Sequence, residues 1–364
     1  MEISAVREKG KDMFTGQQKK ISIIAILKIL YEHSDADHRL SAKEIIDYLW
    51  SDYNIKLDRK AVKRNLMDLI DFGYDIEYKE TPKKNQKGEE EIIYSDWYIN
   101  HTFDNSELRL LIDSLLFSKH MPYSQCKELI GKLIGLSSVY FKDNVKHISN
   151  LPESVPRNPE LLLTIEVLDE AISKKKQVAF NYTDYGIDKV MHLRTDTNGI
   201  PTNYVINPYQ MVATNGRYYL ICGSDKHDYL GHYRIDRIAN IELLNTSAKP
   251  LSKIKGTEYG LNLPKHMAEH IYMFSGDSVR VKYLCKPDMI NEIVDWFGLD
   301  FDIKEKEVDL IEISVMVNES AMFHWLMLYG PRVEVISPKT LRDRVTEAAA
   351  EVAEKYVASR TVQK

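Results

Sequence analysis

The sequence is poor in cysteine. Its three, Cys126, Cys222 and Cys285, lie far apart and form no C-x-x-C pair. This excludes a disulfide framework or a zinc ribbon and fits a reducing compartment. A long apolar run is also missing. The longest, ISIIAILKIL (21–30), is broken by Ser22 and Lys28 and falls short of the roughly 18 residues a membrane span needs. The N-terminus is charged and carries no apolar h-region, so it does not read as a signal peptide. No membrane partner and a cytoplasmic location are expected. The phosphate-cradling G-x-x-x-x-G-K-[ST] and G-x-G-x-x-G patterns are absent, as is the G-x-S-x-G elbow. No cofactor and no enzymatic activity are expected. There is no excess of positive charge either. A net charge of −5 and a pI near 6.2 argue against a protein that coats nucleic acid along its length, but leave room for a local basic face.

What is present is a chain of 364 residues, 44% apolar, enough for two or three packed domains. The first hundred residues read as three helices and a hairpin. QKKISIIAILKILYEH (18–33) has Ile21, Ile24 and Leu27 at helical spacing. Ser41 and Glu44 form an S-x-x-E capping box, with Leu40 and Ile45 as a hydrophobic staple, so a second helix begins near Ala42. Asp58 is a natural N-cap for a third, which Gly73 ends. Val62, Leu66 and Leu69 line one face of this helix and Arg59, Lys60, Lys63 and Arg64 another. YDIEYKE and IIYSDWYI alternate like strands, and TPKKNQKGEEE between them reads as a loop.

Three helices followed by a two-stranded hairpin make a winged helix-turn-helix. Its third helix would enter the major groove of double-stranded operator DNA, with Arg59, Lys60, Lys63 and Arg64 at the contact. Lys83, Lys84 and Lys87 would sit on the wing tip, against the phosphate backbone or minor groove. The competing reading is a solvated basic face, since acids outnumber bases over residues 1–99. Position favours DNA: between Lys56 and Arg64 there are five basic residues against one acid, at the start of the recognition helix.

Residues 105–147 return to helical periodicity, with Asn105 or Ser106 as the cap, and PESVPRNPE (152–160) reads as a linker. After the helix LLLTIEVLDEAISKKK come about five short strands. They are QVAFNYTD, NYVINPYQMVAT, YYLICGS, YLGHYRI and RIANIELLN, the content of a small, strongly bent barrel or sandwich. Pro208 favours an edge or a bend, and Asn215-Gly216 is a signal for a type I′ turn.

These segments resemble a WYL domain, a small Sm-like barrel of bacterial regulators. The matching residues are VAFNY, NPYQMVATNGRYYLICG and HYRIDRIANIELL, with Tyr218-Tyr219-Leu220 standing where the family has its W-Y-L triplet. The rest of the chain, from about residue 18 to 358, also looks like this family. The resemblance implies an α+β multidomain protein: a winged helix-turn-helix (1–100), a helical connector (101–158), the WYL domain (159–250), and a linker with a C-terminal extension (251–364). The β-α-β-α-β-α order of that extension suggests a ferredoxin-like layer, and in the family it is associated with homodimer formation. The implied activity is effector-responsive regulation of transcription, with a nucleotide or single-stranded nucleic acid bound by the barrel. The alternative is an accessory protein whose barrel binds single-stranded nucleic acid for a partner enzyme.

Carried over position by position, the effector residues are Tyr182, Tyr209, Tyr219, Arg234 and Arg237, with His192 and Arg194 beside them. Arginine offers phosphate a two-pronged fork, and tyrosine can stack on a base. Structural readings compete. One of Tyr218 and Tyr219 should point inward, and Arg234 can pair with Asp236. Alternation puts Arg234 and Arg237 on opposite faces unless the strand bends between them.

Two further patterns suggest chemistry. HMAEH (266–270) satisfies H-x-x-E-H, but so short a pattern is weak, and two surface histidines on a connector helix are the expectation, with no metal site. Cys222 is expected in a strand core, without a histidine base beside it.

Overall fold

The computed structural model describes residues 18–84, 90–118, 121–144 and 158–361. The chain divides into two compact units: residues 1–118 with 123–154, and residues 119–122 with 155–364.

The first unit opens with α1 (Gln18–His33), α2 (Ala42–Tyr53) and α3 (Arg59–Phe72), then the antiparallel hairpin β1 (Ile76–Lys84) and β2 (Glu90–Ile99). Each boundary has a local cause. Ser41 Oγ accepts the Glu44 N–H at 3.2 Å while Glu44 accepts the Ser41 N–H at 2.7 Å, closing the capping box. Asp58 accepts the Ala61 N–H at 2.8 Å to start α3, and Gly73 ends it at φ 107°. The three helices and the hairpin share one core that includes Ile26, Ile45, Leu66 and Trp97. Leu40, at the entry to α2, exchanges both backbone hydrogen bonds with Trp97 of β2. The strands run further than their apolar alternation suggests: Lys83 and Lys84 lie in β1, opposite Glu91 and Glu90. Cross-strand pairing of opposite charges supports a ladder that has no apolar face there.

Next come α4 (Asn105–Phe117), α5 (Tyr123–Ile134) and α6 (Val139–Asn144). The cap of α4 is Asp104, not Asn105 or Ser106. Its carboxylate accepts the N–H groups of Ser106 and Glu107 at 2.7 and 2.8 Å, and Glu107 returns a hydrogen bond to the Asp104 N–H. A D-x-x-E box one residue upstream satisfies more donors than either alternative.

The second unit begins with α7 (Leu161–Lys174) and a six-stranded antiparallel sheet. Its strands are β3 (Lys176–Tyr185), β4 (Met191–Leu193), β5 (Asn203–Thr214), β6 (Arg217–Ser224), β7 (His227–Arg234) and β8 (Ile238–Ser247). The order is β4-β3-β5-β6-β7, with β8 also on β3. β5 changes partners along its length. Asn203–Ile206 pairs with β3 and Asn207–Thr214 with β6, with a register shift between Pro208 and Gln210. Pro208 thus sits in an interior strand, at the bend its missing N–H tolerates. Asn215 (φ 51°) and Gly216 (φ 70°) make the turn to β6.

α8 (Leu263–Glu269) leads to a second sheet with helices: β9 (Ser278–Cys285), α9 (Ile290–Phe297), β10 (Phe301–Glu307), β11 (Leu310–Asn318), α10 (Glu319–Tyr329), β12 (Val333–Ser337) and α11 (Lys339–Thr361). The sheet is antiparallel in the order β10-β11-β9-β12, over a core that includes Tyr283, Phe297 and Trp325. β10 has no counterpart in the sequence expectation. FDIKEKE is exposed throughout but for its first residue, a charged edge strand without apolar alternation. No described helix is long and apolar enough to cross a membrane.

Candidate functional site

The second unit gathers arginines and tyrosines where β7 meets β8. The chain does not run straight from one strand to the other. Ile235–Arg237 forms a single 3-10 turn, with Ile235 fully buried and Asp236 nearly so. Arg234 enters the turn in extended backbone and Arg237 closes it, and both guanidinium groups come near Tyr182 and Asp184. The bend exists because Ile235 is drawn into the core.

Tyr182, on β3, is the centre of this region. It is 5% exposed, and its hydroxyl accepts the main-chain N–H of Arg234 at 3.0 Å. Phe180, Tyr204 and Tyr233 surround its ring at centroid distances of 5.2 to 6.4 Å. The Arg194 guanidinium lies over the ring, 4.7 Å from its centroid. Tyr182 is therefore a platform whose face is already taken by an arginine, not a free stacking surface. Burial raises its hydroxyl pKa, offset in part by the Arg234 N–H and the nearby arginines.

Two carboxylates hold the arginines. Arg234 makes a two-pronged pair with Asp236, Nε to Oδ1 at 3.0 Å and Nη2 to Oδ2 at 2.6 Å, and both side chains are largely enclosed. The pairing of Arg234 with Asp236, the structural reading that competes with an effector role, is present. Asp184 accepts from Arg194 through Nε at 2.5 Å and Nη2 at 3.3 Å, and from Arg237 through Nη1 at 2.8 Å. The Arg194 hydrogen bonds, aided by the charges of Arg194, Arg237 and Arg234, pull the Asp184 carboxyl below its usual value. Arg194 is raised in turn, first by Asp184 and then by Tyr204. Tyr219 is half-buried and stands directly opposite Arg234 across β6 and β7.

The structure thus brings together Tyr182, Arg194, Tyr219, Arg234 and Arg237. It does not bring in Tyr209. That hydroxyl donates to the Lys249 carbonyl at 2.9 Å, against Gly223, where an added Cβ would lie 2.9 Å from it. Burial, with Cys222 and Asp225 nearby, pushes the Tyr209 hydroxyl up to about 12. His192 pairs instead with Asp188 at 2.7 Å on an exposed hairpin. Missed by sequence reasoning were Asp184, Tyr204 and Tyr233. The period-two rule had offered a signal: Phe180 and Tyr182 share a face of β3, and Phe180 pairs in register with Tyr204.

In the first unit, Arg59, Lys60, Lys63 and Arg64 are all exposed on the first two turns of α3. The Lys63 ammonium sits 3.5 Å from the centroid of the Tyr94 ring on β2. Among the described residues Arg59, Lys60 and Arg64 have no ion-pair partner. Lys83 and Lys84 are exposed, and Lys87 lies outside the described residues.

The H-x-x-E-H segment departs from expectation. His266 and His270 are not surface residues; they are 8% and 7% exposed. Their rings stack with centroids 4.1 Å apart, and His266 Nε2 is 2.8 Å from Nε2 of His232 on β7. Burial first, then the neighbouring imidazoles, lowers His232 to about 3, and burial followed by His270 lowers His266 to about 4. Glu269 faces Lys265 instead, at 3.8 Å. Among the described residues no group of three or more His, Cys, Asp or Glu is arranged to hold a metal ion. Cys222 is buried on β6, where desolvation pushes its thiol up to about 12.

These features define an α+β protein whose antiparallel sheet carries an arginine–tyrosine cluster on a bent strand. Residues 164–243 match the WYL domain and residues 278–353 the WCX domain; the chain carries a WYL domain followed by a WCX domain. No curated protein matches it. Among solved structures it is similar to proteasome accessory factor B/C (PafBC) of Arthrobacter aurescens, at 14% identity and a TM-score of 0.28. That match covers 90% of this chain and 47% of the other, so the chain spans about half the length of that relative. It is also similar to a CRISPR Cas-related protein, at 14% identity and a TM-score of 0.37, over 93% of this chain and 84% of that one.

Proposed function

We propose that the chain is a DNA-binding transcriptional regulator of a bacterial cytoplasm, acting as a homodimer without catalysis, in which the WYL domain senses a nucleotide or single-stranded nucleic-acid effector. The observation that carries the DNA reading is the start of α3, where Arg59, Lys60 and Arg64 are exposed and have no ion-pair partner among the described residues. Three helices with a hairpin, tied by the Leu40–Trp97 bridge, suit a winged helix-turn-helix whose third helix reads the major groove. Counterion release makes unpaired surface cations the main source of affinity for a duplex. The hairpin plays a smaller part, because Lys83 and Lys84 already face glutamates.

The WYL match supports the sensing half of the reading, and the cluster of Arg194, Arg234 and Arg237 supplies cations suited to a phosphate. For the effector to control DNA binding it must favour one arrangement of the dimer over another. Footprinting of the full chain on the DNA upstream of its own gene tests the proposal. A protected site that shrinks or moves on adding effector is expected. Binding to single strands with no duplex protection would instead favour an accessory protein that serves a partner enzyme.

A further inference from the structure

The two carboxylates of the arginine cluster are not alike. Asp236 and Arg234 form a closed pair, with side chains 10% and 17% exposed. Asp184 is 45% exposed, and two guanidinium groups converge on it, Arg194 from just after β4 and Arg237 from the 3-10 turn. Arg194 and Arg237 reach its two oxygens at 2.5 to 3.3 Å. The Nε of Arg237 is buried and has no hydrogen-bond partner among the described residues. A single accessible carboxylate thus stands between two arginine forks, one of which retains an unused donor.

We propose that Asp184 is a resident stand-in for phosphate, and that the effector is a phosphate monoester which displaces it. The inference rests on reading this cluster as the effector site. Two guanidinium charges face one carboxylate, leaving one positive charge unanswered. An internal phosphodiester carries a single negative charge, so exchanging it for Asp184 gains no charge. A terminal phosphate carries nearly two and offers three acceptor oxygens where the carboxylate offers two. Discrimination therefore falls between the end of a strand and its middle, or between a mononucleotide and an unphosphorylated nucleoside. Arg194 is held over Tyr182 and Arg237 by the 3-10 turn, so both forks remain in place when Asp184 swings away.

The test is calorimetric titration of the full chain with 5′-phosphorylated pentathymidylate, the same oligonucleotide with a 5′-hydroxyl, and thymidine 5′-monophosphate. The expected result is tighter binding of the phosphorylated strand, by about ten-fold, and loss of its binding in R237Q. In D184N the hydroxyl-ended strand gains affinity and the preference narrows to about three-fold. D184S serves if D184N fails to fold, and the wild-type preference decides alone if both fail. Thymidine 5′-monophosphate competing as well as the phosphorylated strand assigns a mononucleotide, and failing to compete assigns a strand end; both are monoesters. Equal wild-type affinity for the two strands, or an undiminished preference in a folded Asp184 variant, overturns the proposal and leaves the effector site standing. Binding of any probe that is indifferent to R237Q overturns the effector-site reading itself, as does no binding by wild type or variant, and the proposal falls with it.

Discussion

The Tyr182 hydroxyl and the main-chain N–H of Arg234 are 3.0 Å apart, and this bond joins β3 to the end of β7 just where the chain enters the 3-10 turn. It fixes where the turn starts, and so where Arg234 and Arg237 point. Tyr182→Phe removes the acceptor and leaves a partly buried N–H unpaired, at a cost of about 1–3 kcal/mol. Urea denaturation should show that loss, together with a weaker response to effector. An unchanged midpoint would mean that the turn is held by Ile235 alone.

The start of α3 makes a separate prediction. K60A with R64A should weaken operator binding and lower the slope of log affinity against log salt by about 1.8, the loss of two phosphate contacts at roughly 0.9 each. Filter binding across a salt series measures this. A slope that stays put would show that these cations do not touch DNA.

The histidine cluster makes stability depend on pH. His232 and His266 are held near 3 and 4 in the folded chain, while unfolded histidine takes its proton near 6.5. Their folded values are depressed, so the unfolded chain binds protons first as pH falls. Stability is therefore full above about 6.5 and is lost below it, down to the folded values. The loss approaches about 1.4 kcal/mol per pH unit for each histidine. Denaturation at pH 7.5 and 5.5 should differ accordingly, and H232Q with H266Q should flatten the difference. An equal pH dependence in that variant would place its source elsewhere.

At α4, Asp104→Ala should cost about 1 kcal/mol through loss of the cap. Ser106→Ala should cost little, since the Ser106 N–H, not its side chain, is what Asp104 binds. Thermal unfolding of the two variants separates the assignments.

Much of this was legible in the sequence wherever the cause was local. The caps at Ser41 and Asp58 and the Asn215-Gly216 turn need only neighbours within a few residues. The WYL resemblance placed Arg194, Arg234 and Arg237 in one region. What escaped depends on distant partners. Asp184 meets Arg237 across 53 residues, and His232 meets His266 across 34. The turn at Ile235 follows from burial of that residue, which strand alternation does not encode. β10 was hidden because an exposed edge strand needs no apolar period.

The contact between Lys63 and Tyr94 carries one more consequence. A cation held over a ring is worth about 0.5–1 kcal/mol at an exposed site, and this one spans from α3 to the hairpin. Helix and hairpin cannot change their mutual angle without giving it up. On the proposed DNA-binding reading they would act as a calliper of set width, with the interval between an α3 contact and a hairpin contact on a duplex fixed in advance. Substituting Tyr94 should leave the preferred bases alone and widen the range of spacings the protein tolerates.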